Sequence, residues 1–150
     1  MLHLDIKPEN ILVDNSDRVK IADFGIAKVM KDKSIDSMSN IYDTKFYQPP
    51  EIFSNNVSKS HENKIDIWSI GVTFFSLAFG CLPFTGNDAY TLKYRIINDK
   101  PIYPDDADRD FVNLLKKCLI KNPYKRPNIQ EIMEDNWITQ NGLNPLELEK

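Results

Sequence analysis

Between residues 64 and 79 the chain is apolar on nearly every side of a helix. The apolar side chains of this run are Ile65, Ile67, Trp68, Ile70, Val72, Phe74, Phe75, Leu77 and Phe79. A helix without a polar face has to be surrounded by protein. Gly80 ends the run, and Pro83 lies just beyond it. We therefore predict the central, buried helix of the domain here.

Three later segments have the periodicity of amphipathic helices. The first starts at Asn87 or Asp88 and runs to about Asn98, and the second starts at Asp108. The third starts at Asn128, and Glu131 three residues later completes a capping-box pattern. The apolar positions that we expect to face the core are Phe111, Leu114, Leu115, Cys118, Leu119, Ile129, Ile132 and Met133, with Trp137 behind them.

The start of the chain predicts a β-hairpin. Residues 11–13 and 19–22 are short apolar runs, and the turn-forming residues 14–17 separate them. A hairpin returns the chain to its start, so Asn10 and Asp23 are expected side by side at one end of the two strands. Their oxygen atoms suit Mg²⁺. With one hairpin and otherwise helices, the fold class is α+β and mostly helical.

Residues 26–48 are polar and show no sustained period, which is typical of a functional loop or of disorder. The three serines of this segment are equally consistent with regulatory phosphorylation sites and with loop residues of no special role. Together with Thr44 they are the candidate phosphorylated residues of the segment. These serines are Ser34, Ser37 and Ser39. Residues 48–51 (Gln-Pro-Pro-Glu) then break the chain and start a short helical turn over residues 51–53.

Composition and charge exclude several classes of protein. The 150 residues suffice for one domain, and a net charge of −3 gives no basic surface for nucleic acid or for an anionic membrane. The longest apolar run carries polar residues and is too short to cross a bilayer. Cys81 and Cys118 have no metal-site spacing, so we expect reduced core thiols in a cytoplasmic or nuclear protein.

Five short motifs name a family. In order they are His3-x-Asp5-x-Lys7-x-x-Asn10, Asp23-Phe24-Gly25, Pro49-Pro50-Glu51, Asp66-x-Trp68-Ser69-x-Gly71 and Asn122-Pro123-x-x-Arg126-Pro127. Their order and spacing resemble eukaryotic protein kinases, specifically the large C-terminal lobe. The resemblance implies a partial kinase domain over residues 1–137 and a tail over 138–150. A lysine two positions after the aspartate, as at Lys7, resembles the serine/threonine branch of the family. The stretches over residues 3–10 and 19–25 resemble those of calmodulin-dependent kinases and their upstream activators.

The resemblance assigns a phosphoryl-transfer role to five residues. It implies that Asp5 accepts or orients the proton of the substrate hydroxyl and that Lys7 places its charge beside the transferring group. Asn10 and Asp23 would hold Mg²⁺, with Asp23 on the ion that bridges the phosphates of ATP. Leu12 would contact the nucleotide together with Lys7, Asn10 and Asp23. The expected cofactors are ATP and Mg²⁺, and the expected partner is a protein that carries a serine or threonine.

The remaining positions of the motifs are expected to recognise the substrate or to support the site. Thr44 would contact the catalytic aspartate and lysine beside the substrate, and Glu9 lies where basophilic kinases meet an upstream arginine. The residues with a structural role would be His3, Phe24, Gly25, Glu51, Asp66 and Arg126. Among these, Glu51 and Arg126 would form a buried ion pair, Asp66 would accept backbone amides near His3, and Gly25 would let its loop flip.

The chain departs from the family pattern in three ways. Leu4 stands where many members have an arginine that grips an activation-loop phosphate, and Pro49 replaces an alanine. The five glycines never form G-x-G-x-x-G, and no Val-Ala-x-Lys strand is present. Without the N-terminal lobe that carries these features, we expect very little kinase activity and an exposed apolar patch on helix 64–79.

Three hypotheses about function follow. The chain is the catalytic half of a serine/threonine kinase, a non-catalytic kinase-like binding module, or a non-functional gene fragment. Asp5, Lys7, Asn10 and Asp23 occur together, and this favours the first hypothesis because a binding module needs none of them.

Overall fold

The computed structural model describes residues 2–25, 43–54 and 62–144. Its regular elements are the strands β1 (Ile11–Val13) and β2 (Val19–Ile21), followed by the helices α1 (Pro50–Phe53), α2 (Asn63–Phe79), α3 (Ala89–Asn98), α4 (Arg109–Cys118) and α5 (Ile129–Met133). Two 3₁₀ helices, Pro8–Asn10 and Asp43–Tyr47, precede β1 and α1. The predicted mostly helical fold with one hairpin is confirmed. Residues 26–42 of the segment predicted to be irregular lie outside the described ranges, and residues 43–47 form a 3₁₀ helix instead.

Strands β1 and β2 form the predicted antiparallel hairpin. Ile11 pairs with Ile21, and Val13 pairs with Val19. The side chain of Asp14 closes the turn by accepting the backbone N–H groups of Ser16 and Arg18. The hairpin stands away from the core, because five of its six strand side chains are exposed and the sixth is half-buried.

Helix α2 is the centre of the fold. Trp68 and Val72 are fully buried on it and pack with Phe84 and Leu92 in the largest cluster of buried residues. Its contacts with α4 are among the most extensive between helices of the described part of the chain. The prediction of a helix buried all round holds for most of its length. It fails in the last turn, where Leu77 is 61% exposed.

The later helices begin at their predicted caps. The side chains of Asp88 and Asp108 accept N–H groups in the first turns of α3 and α4, and Asn128 and Glu131 form the capping box of α5. The prediction that Ile129 faces the core is wrong, since the side chain is 46% exposed. Its position in the first turn of a five-residue helix leaves the burial to Ile132.

Two other packing predictions need correction. Cys118 is buried as expected, but Cys81 is exposed because it follows the helix-ending Gly80 in a surface turn. Trp68 is a core residue, whereas Trp137 is 40% exposed and packs only one face against Phe111. Within the three described ranges no helix is both long and apolar enough to cross a membrane.

Candidate active site

The loop over residues 3–10 is held by the first turn of α2. The two carboxylate oxygens of Asp66 accept the backbone N–H groups of His3 and Leu4, each at 2.8 Å. Leu4 takes a left-handed backbone with φ 68°, which is costly for a side chain with a Cβ. Two charge-assisted hydrogen bonds and the burial of Leu4 against Ile65 offset that cost. Asp66 thus has the contacts that the sequence analysis expected of it.

Asp5, Lys7 and Asn10 form one bonded cluster on this loop. The Lys7 ammonium lies 3.0 Å from Asp5 Oδ2, and Asn10 Nδ2 donates to the same oxygen at 2.9 Å and to the Asp5 carbonyl at 2.8 Å. Asp5 and Asn10 are both buried, and Lys7 is half-buried. The cluster therefore holds a carboxylate in one orientation beside a fixed positive charge, as a base that orients a hydroxyl requires.

The hairpin brings Asp23 back to this cluster. The Ala22 N–H donates to the Asn10 carbonyl at 2.8 Å, one residue beyond the last strand pair. The Nε2 of His3 donates to the Ala22 carbonyl at 3.0 Å. Asp23 follows with φ 60°, and its Oδ1 accepts the N–H of Gly25 at 3.1 Å. Asn10 and Asp23 consequently lie at the same end of the hairpin, as predicted.

Gly25 and Phe24 support this turn by contact. A Cβ placed on Gly25 would lie 2.9 Å from Asp23 Oδ1, so a side chain there would displace the carboxylate. Gly25 does not have a left-handed φ, and its observed contribution is therefore space for Asp23 rather than backbone freedom. The Phe24 ring packs edge-on against His3, with ring centroids 4.7 Å apart.

The donor set fits magnesium. Asn10 and Asp23 offer one amide and one carboxylate oxygen, and Mg²⁺ takes such hard donors, few from protein and the rest from phosphates and water. Among the described residues no cluster of three His, Cys, Asp or Glu side chains could hold a metal by itself. The arrangement therefore suits an ion that arrives with a phosphate ligand rather than a structural metal.

Glu51 and Arg126 form the expected buried ion pair. Arg126 Nη1 and Nη2 donate to the two oxygens of Glu51 at 2.8 and 3.0 Å. The remaining donors reach backbone, with Nη1 to the Lys64 carbonyl at 2.6 Å and Nε to the Ile120 carbonyl at 3.1 Å. Lys64 in turn donates to the Arg126 carbonyl at 2.7 Å. The pair ties α1 to α2 and to the loop before α5.

Two hydroxyls on α2 are supporting residues that the sequence analysis missed. Ser69 Oγ donates to the Tyr47 carbonyl at 2.9 Å, and Thr73 Oγ1 donates to the Ile6 carbonyl at 3.4 Å. Burial, and secondarily the charge of Glu9, raise the pKa of the Tyr47 hydroxyl. The signal was available, because the polar positions of α2 follow helical spacing along one stripe. Beyond the first two residues of the helix, these positions are Asp66, Ser69, Thr73 and Ser76.

Three predicted contact residues lie around this site. Glu9 is exposed at the surface of the loop, and Leu12 is 53% exposed on β1. Thr44 lies in the 3₁₀ helix whose last carbonyl is held by Ser69. The three candidate phosphorylation sites fall outside the described residues, and they are Ser34, Ser37 and Ser39.

Known proteins similar to the chain have one activity in their names. A family model described as a protein kinase domain matches residues 1–138. Serine/threonine-protein kinase ppk34 of Schizosaccharomyces pombe is 35% identical over 147 residues, which are 97% of this chain and 41% of the relative. Calcium/calmodulin-dependent protein kinase kinase cmkC of Emericella nidulans is 35% identical over 147 residues, 97% of this chain and 28% of the relative.

The serine/threonine-protein kinase stk11 homolog of Dictyostelium discoideum is 35% identical over 138 residues, 91% of this chain and 23% of the relative. The chain therefore spans less than half of the length of each of these relatives.

Proposed function

Because this chain belongs to the protein kinase family, we propose that it is the catalytic part of a serine/threonine protein kinase, which transfers the γ-phosphoryl group of ATP to a protein hydroxyl. The observation that carries the proposal is the buried cluster of Asp5, Lys7 and Asn10, joined to Asp23 through the hairpin. A family likeness alone would not require the side chains of Asp5, Lys7 and Asn10 to form one bonded cluster beside Asp23. The named serine/threonine kinases support the class of hydroxyl.

Asp5 receives and orients the hydroxyl of the substrate. Its Oδ2 is held by Lys7 and Asn10, so the carboxylate presents a fixed lone pair and pays little reorganisation when the proton moves. Lys7 keeps a positive charge beside the oxygen that attacks. Because phosphoryl transfer depends on positioning and electrostatic stabilisation, these two functions are the protein's main contribution on this side of the reaction.

Asn10 and Asp23 would hold Mg²⁺, and Leu12 would contact the nucleotide from β1. A bound Mg²⁺–ATP supplies the phosphoryl group and neutralises the charge that develops on it. Glu9 and Thr44 would meet the protein substrate, beside the Tyr47 end of the 3₁₀ helix. We therefore propose the nucleotide at the hairpin, the substrate at the loop before α1, and the large lobe of a kinase domain for the described fold.

A polypeptide of these 150 residues alone is proposed to transfer phosphate very slowly. Its sequence has no glycine-rich loop to cover the phosphates. The exposed strands β1 and β2 leave one side of the nucleotide open to water. Binding that orients the γ-phosphoryl group is then weak, and most of the positioning advantage is lost.

The test compares this polypeptide with a chimera in which the glycine-rich lobe of an active serine/threonine kinase precedes Met1. We expect the chimera to phosphorylate a serine-containing protein and the 150-residue chain to show almost no transfer and little thermal stabilisation by Mg²⁺–ATP. Asp5→Asn should slow the chimera by at least about 100-fold, since it removes the base.

Asp17→Asn makes the same chemical change in the exposed hairpin turn and serves as the matched control, expected to keep the parent rate. A folded chimera that transfers phosphate equally well with Asn at position 5 contradicts the proposed role of Asp5. A folded chimera without any transfer favours the binding-module alternative. Clear stabilisation of the 150-residue chain by micromolar Mg²⁺–ATP contradicts the proposed inactivity.

A further inference from the structure

A pocket lies away from the catalytic loop, between the first turn of α2, the end of α4 and the loop before α5. Its volume is about 490 Å³, and Lys64, Lys117, Ile120, Tyr124, Lys125 and Glu131 contribute to its walls together with Arg126 and Pro127. This volume falls in the range of small-molecule sites. None of these residues belongs to the Asp5 cluster, so the pocket is separate from the site proposed for phosphoryl transfer.

The charge of the pocket opposes the charge of the whole chain. Four cationic side chains and one acid line it, whereas the chain as a whole carries −3. Arg126 is already neutralised by Glu51, and Lys117 pairs with the buried Asp135 at 2.6 Å. Lys64 and Lys125 remain, and against Glu131 they give the lining an excess of one positive charge. A cleft lined by one sign of charge raises the local concentration of the opposite ion.

Lysine N–H donors remain available in this pocket. Lys64 and Lys117 each use one of their three donors, on the Arg126 carbonyl and on Asp135. Lys125 makes no ion pair with any residue of the described ranges, and its side chain is at the surface. The pocket lining thus includes lysines with unused N–H donors, and its one carboxylate, Glu131, accepts the Asn128 N–H.

The same pocket has an apolar wall. Ile120 and Pro127 are half-buried, and Tyr124 is 67% exposed beside them. An inorganic anion gains nothing from such a surface, whereas a ligand with an apolar body buries it. Lysine ammonium groups bind phosphate as point charges, without the fixed fork geometry of arginine.

We propose that the Lys64–Lys125 pocket binds a small organic phosphate, with the phosphate group among the lysine ammoniums and the apolar body against Ile120, Pro127 and Tyr124. The proposal does not rest on kinase activity. It assigns the chain a second ligand site, whose lining includes Lys64 and Arg126, and these two residues hydrogen-bond to each other.

The test uses the full 150-residue chain, phenyl phosphate and inorganic phosphate, in EDTA without magnesium, so that the Asn10–Asp23 site stays out of the measurement. Isothermal titration should show phenyl phosphate binding, more weakly at higher ionic strength and more tightly than inorganic phosphate. Lys125→Gln should weaken it by about tenfold, the loss of one hydrogen bond to a charged group.

Lys93→Gln on the exposed face of α3 removes the same charge elsewhere and is expected to bind like the parent. Amide NMR shifts on adding phenyl phosphate should appear at residues 120–127. Equal affinities of the two variants, shifts confined to other residues, or no binding at millimolar ligand would each overturn the proposal. Equal binding of the two phosphates would overturn the apolar part of it.

Discussion

At the scale of single residues, the guanidinium of Arg126 is a point on which three segments depend. Its side chain is fully buried, and its donors meet Glu51 and two backbone carbonyls. A buried pair of this kind gives little net stability compared with an apolar pair of the same size, but removing one partner strands the other charge away from water. The relevant quantity is therefore the cost of breaking the pair.

Glu51→Gln should lower the free energy of unfolding by about 3–5 kcal/mol, because Arg126 keeps its charge in the interior without a counter-charge. Urea unfolding followed by circular dichroism measures it. Arg18→Gln is the control, since it breaks the exposed pair with Asp14 and should leave the urea midpoint nearly unchanged. Comparable losses in the two variants would show that burial of the pair is not the cause.

Asp66 governs the order of the catalytic loop. Its two carboxylate oxygens each accept one N–H, and an asparagine side chain can accept only one of them. Asp66→Asn should therefore speed amide hydrogen exchange at His3 and Leu4, where a strained left-handed residue is no longer held. Asp88→Asn, at the exposed cap of α3, should change exchange only near Thr91. Unchanged exchange at His3 and Leu4 would contradict the role of Asp66.

At the scale of elements, helices α2 and α4 approach closely at Gly71. A Cβ on Gly71 would lie 2.6 Å from the Cβ of Cys118, closer than such atoms are ever found. The approach lets Cys118 and Leu114 bury completely against α2. One residue without a side chain thus sets the distance between the two helices.

Gly71→Ala should lower the free energy of unfolding by about 1–3 kcal/mol, because the added methyl group forces the helices apart. Cys118→Gly removes the atom that it strikes, so the double variant should show a coupling energy of about 0.5–3 kcal/mol in the favourable direction. Gly80→Ala strikes nothing within 4 Å and should be additive with Cys118→Gly. Additive losses for Gly71→Ala would mean that the clash is not with Cys118.

The secondary-structure elements could be predicted from the sequence, whereas most contacts between them could not. Periodicity and caps are local, so α2, α4 and the capping box of α5 were predicted from their own residues. The hydroxyls of Ser69 and Thr73 donate to carbonyl groups that lie 22 and 67 residues away in the sequence. The spacing of polar residues within α2 does not indicate which carbonyl groups these are. The Asp66 and Arg126 contacts were expected only through the family resemblance. The prediction for Ile129 was wrong because the five-residue helix α5 is too short for its periodicity to determine which side faces the core.

At the scale of the whole molecule, one buried and two half-buried groups make the stability depend on pH in the alkaline range. Burial lowers the pKa of Lys121 from 10.5 to about 8, with Asp99 and Arg126 as the nearby charges. Lys121 donates to the Ile96 carbonyl, and its ammonium lies 3.9 Å from the centroid of Phe84. Burial also raises the pKa of Cys118 from 9.0 to about 12 and that of Tyr103 from 10.0 to about 12.

The signs of these shifts give a stability profile. Between about pH 8 and 10.5 the folded Lys121 binds fewer protons than the unfolded one, so stability rises with pH. Above pH 9 the folded Cys118 keeps a proton that the unfolded thiol loses, so stability falls, and Tyr103 adds to the fall above pH 10. The urea midpoint should increase from pH 7.5 to 9, level off, and decrease above 10.5.

Two variants separate these contributions. Lys121→Met should abolish the increase between pH 7.5 and 9, and Cys118→Ala should weaken the decrease above pH 10.5. Urea midpoints measured at half-unit steps of pH give both slopes. A parent midpoint that falls steadily from pH 7.5 would show that Lys121 does not release its proton in the folded state.

The hairpin has a consequence for insertions and deletions. Ile11 pairs with Ile21, and the Ala22 N–H donates to the Asn10 carbonyl. This register of the two strands keeps Asn10 and Asp23 at the same end of the hairpin. One residue added inside β2 would turn the side chains that follow it to the opposite face of the hairpin. It would also move the Asp23 carboxylate away from the Asn10 amide. Residues added at the tip of the turn would leave both in place. If related kinase sequences are compared, insertions and deletions in the hairpin should therefore occur at positions 15–17 and not within the two strands.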